Sequence, residues 1–166
     1  MADERHNGWR QMSAGDLAAV SAISDAVHGC FTEPVAVYAE RLALYPAGCL
    51  ALEQRGEVAG YLITHPWYRD APPKLGAMLC AIPARADSYY LHDIALLPAA
   101  RGTGAARAAL DFVMVRARAL GFSDIALMAV GGADLYWAAQ GFDTVPREAD
   151  PSYGAGAHLM RMPVAI

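Results

Sequence analysis

The sequence predicts a single domain over residues 1–166, of α+β class or with a mixed sheet. Two observations predict it. Apolar residues recur at helical spacing between residues 13 and 46 and then switch to strand spacing. Three strand-like segments then follow one another in mid-chain, where a strictly alternating doubly wound fold would place helices. At 166 residues the chain is long enough to close one hydrophobic core.

Taken in order, "GWRQM" (8–12) reads as a first strand. "SAGDLAAVSAISDAVHG" (13–29) reads as a helix, with Ser13 as N-cap, Asp16 at N3 and Leu17, Val20, Ile23 and Val27 as its apolar stripe. A second helix opens at Thr32 or Glu33 before Pro34 and stops at Pro46. Cys49–Gln54 and Glu57–Thr64 flank an Arg-Gly turn as a hairpin. Residues 65–88 hold four of the ten prolines and no sustained period, which marks them as a substrate-facing flap. "YYLHDIALL" (89–97) is a strand, residues 104–120 a helix closed by Gly121, and "SDIALMAV" (123–130) a strand apolar enough to be central. A short helix within "GGADLYWAAQGF" (131–142) and two strands, "DTV" and "AHLMRMPV", complete the order β, α, α, β, β, β, α, β, α, β, β.

Composition excludes several function classes. The formal net charge of −4 gives no global field for nucleic acid, although Arg101, Arg107, Arg116 and Arg118 form a local positive patch. No run is long and apolar enough to span a bilayer, and "MADERHNGWR" has no apolar signal core, so the expected setting is cytoplasmic, without membrane or nucleic-acid partners. Cys30, Cys49 and Cys80 are scattered without CxxC spacing and are expected to be buried structural thiols. The histidines show no metal-ligand spacing, so no metal is expected.

The stretch "LLPAARGTGAARAAL" (96–110) places Gly102 and Gly104 between a strand and a helix. Free N–H groups at a helix start carry partial positive charge and bind anions, and glycines let a phosphate approach them. Arg101 and Arg107 flank the turn. The other reading is a tight turn that takes glycine for its dihedrals alone. GxxxxGK[ST] is absent, and a dinucleotide fingerprint fails because its third glycine would fall at Arg107.

"IALLPAARGTGAARAAL" resembles the acyl-CoA binding motif of the GNAT superfamily of N-acetyltransferases, with Arg101, Gly104 and Ala106 at its fixed positions. "LYWAAQGF" is similar to that superfamily's second motif, an aromatic pair followed by Gly-Phe, and the order of elements agrees from about residue 9 to 165. The resemblance implies a mixed, mostly antiparallel central sheet splayed between two strands, with helices on both faces. It implies an acetyl transfer from acetyl-CoA to a primary amine of a small molecule or peptide, by direct attack in a ternary complex. By it, the backbone of Ile94, Ala95 and Leu96 would hold the pantetheine arm and acetyl carbonyl, with the Leu96 amide as oxyanion donor. Arg101, Gly102, Thr103, Gly104, Ala105, Ala106 and Arg107 would hold the pyrophosphate. A homodimer is common in the family.

Alternation puts Tyr90, His92, Ile94 and Leu96 on one face of their strand and Leu91, Asp93 and Ala95 on the other. His92 is then the candidate general base, a role the resemblance also implies, and the competing reading is a hydrogen-bonded core histidine. Asp93 is expected to anchor a loop or helix end. The family's usual proton donor is a tyrosine at the position held here by Trp137, so Tyr136, one residue earlier, is the candidate acid, with packing as its other reading. Phe31, Trp67 and Tyr68, with Tyr38, are candidates to line an acceptor pocket, and Asp70 or Glu33 to attract an ammonium group, with surface loop chemistry as the other reading. "SYGAGAH" (152–158) places Tyr153 and His158 by the same cleft or forms a simple turn. An acyl-CoA-binding sensor or interaction module on the same scaffold, without turnover, is the alternative function. A binder of simple phosphate ligands is a third.

Overall fold

The computed structural model describes residues 7–147 and 150–165. The helical spacing of residues 13–29 resolves into a 3-10 turn, Ala14–Asp16, followed by α1, Leu17–His28. Asp16 accepts a hydrogen bond from the Ser13 N–H at 2.8 Å, and Arg10 grips the same carboxylate from strand β1, Trp9–Gln11. The Arg10 hydrogen bond outweighs burial and holds the Asp16 carboxyl down at about 2. A second 3-10 turn, Gly29–Phe31, carries the chain into α2, Val35–Leu44, with Pro34 fixing its first backbone angle. Val20 and Ile23 of α1 and Tyr38 of α2 pack on Tyr61, Ile63 and Ala95, on one face of the sheet.

The remaining elements are β2 (Cys49–Gln54), β3 (Glu57–Trp67), β4 (Ser88–Leu96), α3 (Ala105–Ala119), β5 (Asp124–Ala129), α4 (Asp134–Ala139), β6 (Asp143–Thr144) and β7 (His158–Pro163). Among the described residues the seven strands form one sheet in the order β1-β2-β3-β4-β5-β7-β6, an α+β arrangement of the expected class. Every neighbouring pair is antiparallel except β4 and β5. Helix α3 covers the face opposite α1 and α2. Its Ala105, Ala109 and Ala117 let it lie close to the sheet while Leu110 and Val113 fill the core with Leu62, Tyr89 and Ile125. The Trp9 indole N–H donates to the Ala105 carbonyl at 2.9 Å, which ties the first turn of α3 to the sheet edge. No helix among the described residues is long and apolar enough to cross a membrane.

Three departures from the expected local structure matter. Strand β3 runs to Trp67, three residues past the expected Thr64, because β4 supplies ladder partners as far as Ser88. The irregular connection is therefore residues 68–87. It is strapped down rather than loose: Glu40 of α2 accepts from the Leu79 N–H (2.6 Å) and the Cys80 N–H (3.0 Å), Arg41 donates to the Ala77 carbonyl (2.9 Å), and the Tyr153 hydroxyl donates to the Pro73 carbonyl (2.9 Å). Of the three cysteines only Cys49 is buried. Cys30 and Cys80 are exposed, since one lies in the 3-10 turn after α1 and the other in the 68–87 connection, where apolar sequence neighbours do not imply core.

Candidate active site

The sheet opens in its middle. Strands β4 and β5 pair only at Tyr89 with Ile125 and Tyr90 with Ala126, after which the two diverge while each keeps its outer partner. The gap is a cleft of about 780 Å³. On its β4 side the Leu97 N–H bonds the Ala59 carbonyl of the β3 flank at 2.9 Å, and the register pairs Ala95 with Tyr61. Backbone groups alternate between neighbours along an antiparallel strand, so the N–H and C=O of Ala95 turn to β3 and those of Ile94 and Leu96 face the gap. Ile94, Ala95 and Leu96 all line the cleft, but the backbone of Ala95 belongs to the ladder.

Past Leu96 the chain makes a 3-10 turn, Pro98–Ala100, and then the glycine turn. Gly102 and Gly104 have φ of +73° and +85°, a region in which a Cβ is strained, and a Cβ built on either would meet no protein atom within 4 Å. The glycines thus satisfy the dihedral demand and also leave open space beside the start of the 15-residue helix α3. Its unpaired N–H groups and dipole suit a phosphate there. Arg101, Gly102 and Ala106 line the cleft. The Arg101 Nε lies 3.3 Å from the Leu96 carbonyl it donates to, while Thr103 donates to the Ala100 carbonyl at 2.6 Å and braces the turn. Arg107 does not reach the cleft: it is exposed and pairs with Asp111 one helical turn on, at 3.1 Å.

The face assignment on β4 needs correction. Ile63 pairs with Asp93 and Thr64 with Leu91, so His92 is the extra residue of a β-bulge. The bulge resets the alternation. His92 and Asp93 both reach toward the α1–α2 side, whereas Leu91, Ile94 and Leu96 pack toward α3. His92, its side chain 2% exposed, meets Glu33 with Nε2 and Oε1 at 2.7 Å, and its Nδ1 is buried without a partner. Glu33 also accepts the Gly76 N–H on Oε2 at 2.7 Å. Burial raises the Glu33 carboxyl, but the hydrogen bond and charge of His92 and the Gly76 amide outweigh it and leave a net lowering. An ionised Glu33 accepts, so the His92 Nε2 carries the proton and Nδ1 the lone pair.

Asp93 holds the end of α1, as expected of an anchor. His28, the last residue of that helix, meets its Oδ1 at 2.6 Å, and the Tyr61 hydroxyl donates to Oδ2 at 2.6 Å. Burial lowers the His28 pKa, the Asp93 hydrogen bond and charge raise it more, and the net direction is up.

Across the gap, α4 contributes Tyr136 and Trp137, and both line the cleft. Trp137 is buried against Phe142, with ring centroids 5.4 Å apart, whereas Tyr136 is 46% exposed. Phe31 reaches over from the α1–α2 turn: its Cε2 lies 3.6 Å from where a Cβ on Gly131, just past β5, would be. His92, Leu96, Tyr136 and Phe31 are therefore gathered in one cleft. Trp67 and Tyr68 are not. Trp67 lies at the end of β3, packs beside Tyr90 and Leu159 and donates its indole N–H to the Ala71 carbonyl at 2.8 Å, and Tyr68 is turned to solvent. Tyr38 is buried with its hydroxyl on Ser24, and Asp70 is an exposed partner of Arg161. Leu75 brings the 68–87 connection to the same cleft, in keeping with the expected flap, and of the two residues that "SYGAGAH" offered, Tyr153 lines the cleft and His158 does not; sequence reasoning missed His28. Of the two carboxylates expected to attract an ammonium group, Glu33 lines the cleft and Asp70 does not, while the pairing of Glu33 with His92 was not foreseen.

Residues 20–142 match the family model for the Acetyltransferase (GNAT) family. No curated protein sequence matches the chain. Among solved structures, the GphF GNAT-like decarboxylase in complex with isobutyryl-CoA superposes with a TM-score of 0.77 at 15% identity, over 95% of this chain and 99% of that one. The ribosomal-protein-S18-alanine N-acetyltransferase from Escherichia coli gives 0.67 at 19% identity, over 95% and 94%. Rv2747 from Mycobacterium tuberculosis, in complex with CoA, gives 0.68 at 16% identity, over 95% and 99%. At these identities the likeness is one of fold.

Proposed function

Because this chain belongs to the GNAT family of acetyltransferases, we propose that it transfers an acetyl group from acetyl-CoA to a primary amine of a small molecule or peptide, by direct attack in a ternary complex. The observation that carries the reading is the alignment along one cleft of an anion-ready glycine turn, the open Leu96 edge of β4 and the Glu33–His92 pair. Open space at Gly102 and Gly104 fits a pyrophosphate on the Arg101–Ala106 turn, and the outward groups of Ile94 and Leu96 fit the pantetheine amides. The thioester, when bound, supplies an activated acyl group.

The chain's own residues do the rest. His92 accepts a proton from the ammonium form of the acceptor at Nδ1, since Glu33 fixes the proton on Nε2 and stabilises the resulting imidazolium. The Leu96 N–H, free of the ladder, donates to the oxyanion that forms on attack. Tyr136 supplies a proton to the leaving thiolate from the cleft wall and is restored by the second proton that the attacking nitrogen loses as the amide forms. Burial of Trp137 at the position the resemblance gives to a tyrosine favours a second reading, an acyl-CoA-binding module without turnover.

Isothermal titration with acetyl-CoA, against ADP as control, tests the seat: micromolar binding of the first without the second is expected. His92→Gln separates the two readings. On the enzyme reading, turnover of an accepted amine falls by roughly 10²–10⁴-fold while acetyl-CoA affinity is retained. Binding of acetyl-CoA with no turnover on any amine supports the module.

A further inference from the structure

The acceptor end of the cleft is unusual in its charge. Its charged or titratable side chains are His28, Glu33, His92 and Asp93, with the Tyr153 hydroxyl donated to the Pro73 carbonyl and Tyr136 on the α4 wall. The one guanidinium lining the cleft among the described residues, Arg101, sits at the glycine turn on the Leu96 carbonyl. Arg41 is near Glu33, but its side chain is 1% exposed, its guanidinium is held by Glu40 and the Ala77 carbonyl, and it does not line the cleft. The charge on His28 is answered in place by Asp93. What faces the cavity among the described residues is therefore two carboxylates, each already shared with an imidazole, and no free cation, beside a buried imidazole nitrogen that lacks any partner. The walls around them, Val27, Phe31 and Leu75, are apolar, and Phe31 closes the space against Gly131.

We infer that the acceptor is a primary amine on an apolar body with no acidic group, and that amino acids and other acceptors carrying a carboxylate near the amine are turned away. This rests on the acyltransferase reading for its chemistry, but the recognition stands on the cavity. An ammonium group placed at Glu33 and Asp93 keeps hydrogen-bond acceptors, because each carboxylate oxygen has two lone pairs and uses one on His92, Gly76, His28 or Tyr61. A carboxylate two bonds from that nitrogen would lie against the same two anions or the apolar wall, and either position leaves a desolvated charge unpaired.

Matched ligands isolate the acid group. Isopentylamine, L-leucine and 3-methyl-1-butanol share one side chain and differ in carrying an amine, an amine with a carboxylate, or neither charge. Each is titrated calorimetrically into the protein, with and without saturating CoA. Isopentylamine is expected to bind at least tenfold tighter than the other two. Leucine binding equally or better, or no binding of the amine in either series, overturns the inference. A failure of CoA itself to bind counts against the acyltransferase reading alone, because the series without CoA still ranks the three ligands. Leu75→Arg, a half-buried loop position outside the Glu33–His92 pair, supplies the missing cation and is expected to strengthen leucine binding at least tenfold. An unchanged leucine affinity in that folded variant also overturns it.

Discussion

His65 stands next to His92, with ring centroids 6.0 Å apart, and shows what burial does to an imidazole with no acidic partner. Its Nδ1–H donates to the Pro66 carbonyl at 3.0 Å, its Nε2 has no partner, and burial pushes its pKa down to about 3. Between the unfolded value of 6.5 and about 3, the unfolded chain takes up a proton that the native protein refuses, so this residue costs stability as pH falls. His28 has the opposite sign. Its raised pKa contributes stability below the unfolded value of 6.5, which is lost as pH rises through the folded value. His65→Phe keeps the ring and removes the titration. Urea unfolding is expected to show the wild type losing about 1 kcal/mol more than this variant from pH 6 to pH 5. Parallel pH profiles for the two proteins would remove His65 from the account.

At the scale of elements, the glycine turn and the 68–87 connection make separable demands. Gly102→Ala and Gly104→Ala meet no steric clash, so each is expected to cost about 1 kcal/mol in denaturant for the left-handed backbone. Acetyl-CoA affinity should fall further than that, at least tenfold in calorimetry, because the added methyl projects into the open space where the ligand is proposed to lie. The connection hangs on Glu40. Glu40→Ala removes the acceptor of two loop amides, and trypsin is expected to cut at Arg69, Lys74 or Arg85 at least several-fold faster than in the wild type, with the cleavage sites read by mass spectrometry. The order of strands and helices was legible because each element carries its own period, and the glycine turn because its dihedrals restrict the residue. The bulge at His92 was not. An inserted strand residue leaves the composition of "YYLHDIALL" unchanged, so alternation read straight through it put His92 and Asp93 on opposite faces. Nor was the Glu33–His92 pair legible, since 59 positions separate the two and only the packing of the α1–α2 turn on β4 joins them.

For the molecule as a whole, the open cleft is a structural cost concentrated where β4 and β5 part. Two ladder positions join these strands, and one buried carboxylate reinforces the closed end: Asp124 of β5 accepts from Ser88 of β4 at 2.5 Å and from Arg69 at 2.7 Å, with Arg161 of β7 at 3.7 Å. The arginines are a quarter to a third exposed, so the ion pairs are partly screened, and Asp124→Asn is expected to cost about 2 kcal/mol rather than the 3–5 of a fully buried pair. A ligand seated between the diverging strands acts against that loss by mass action. At a concentration of about 100 times Kd it adds roughly 2.7 kcal/mol, and for a chain of this length each kcal/mol moves the melting temperature by about 2–4 °C. Acetyl-CoA is therefore expected to raise the melting temperature of the wild type by roughly 5–11 °C and to return Asp124→Asn at least to the ligand-free wild-type value. ADP at the same concentration should leave both melts nearly where they were, because a nucleotide reaches the glycine turn without spanning from it along β4 to the far wall. Equal shifts with ADP and acetyl-CoA would place all the binding energy at the turn and remove the diverging strands from the site.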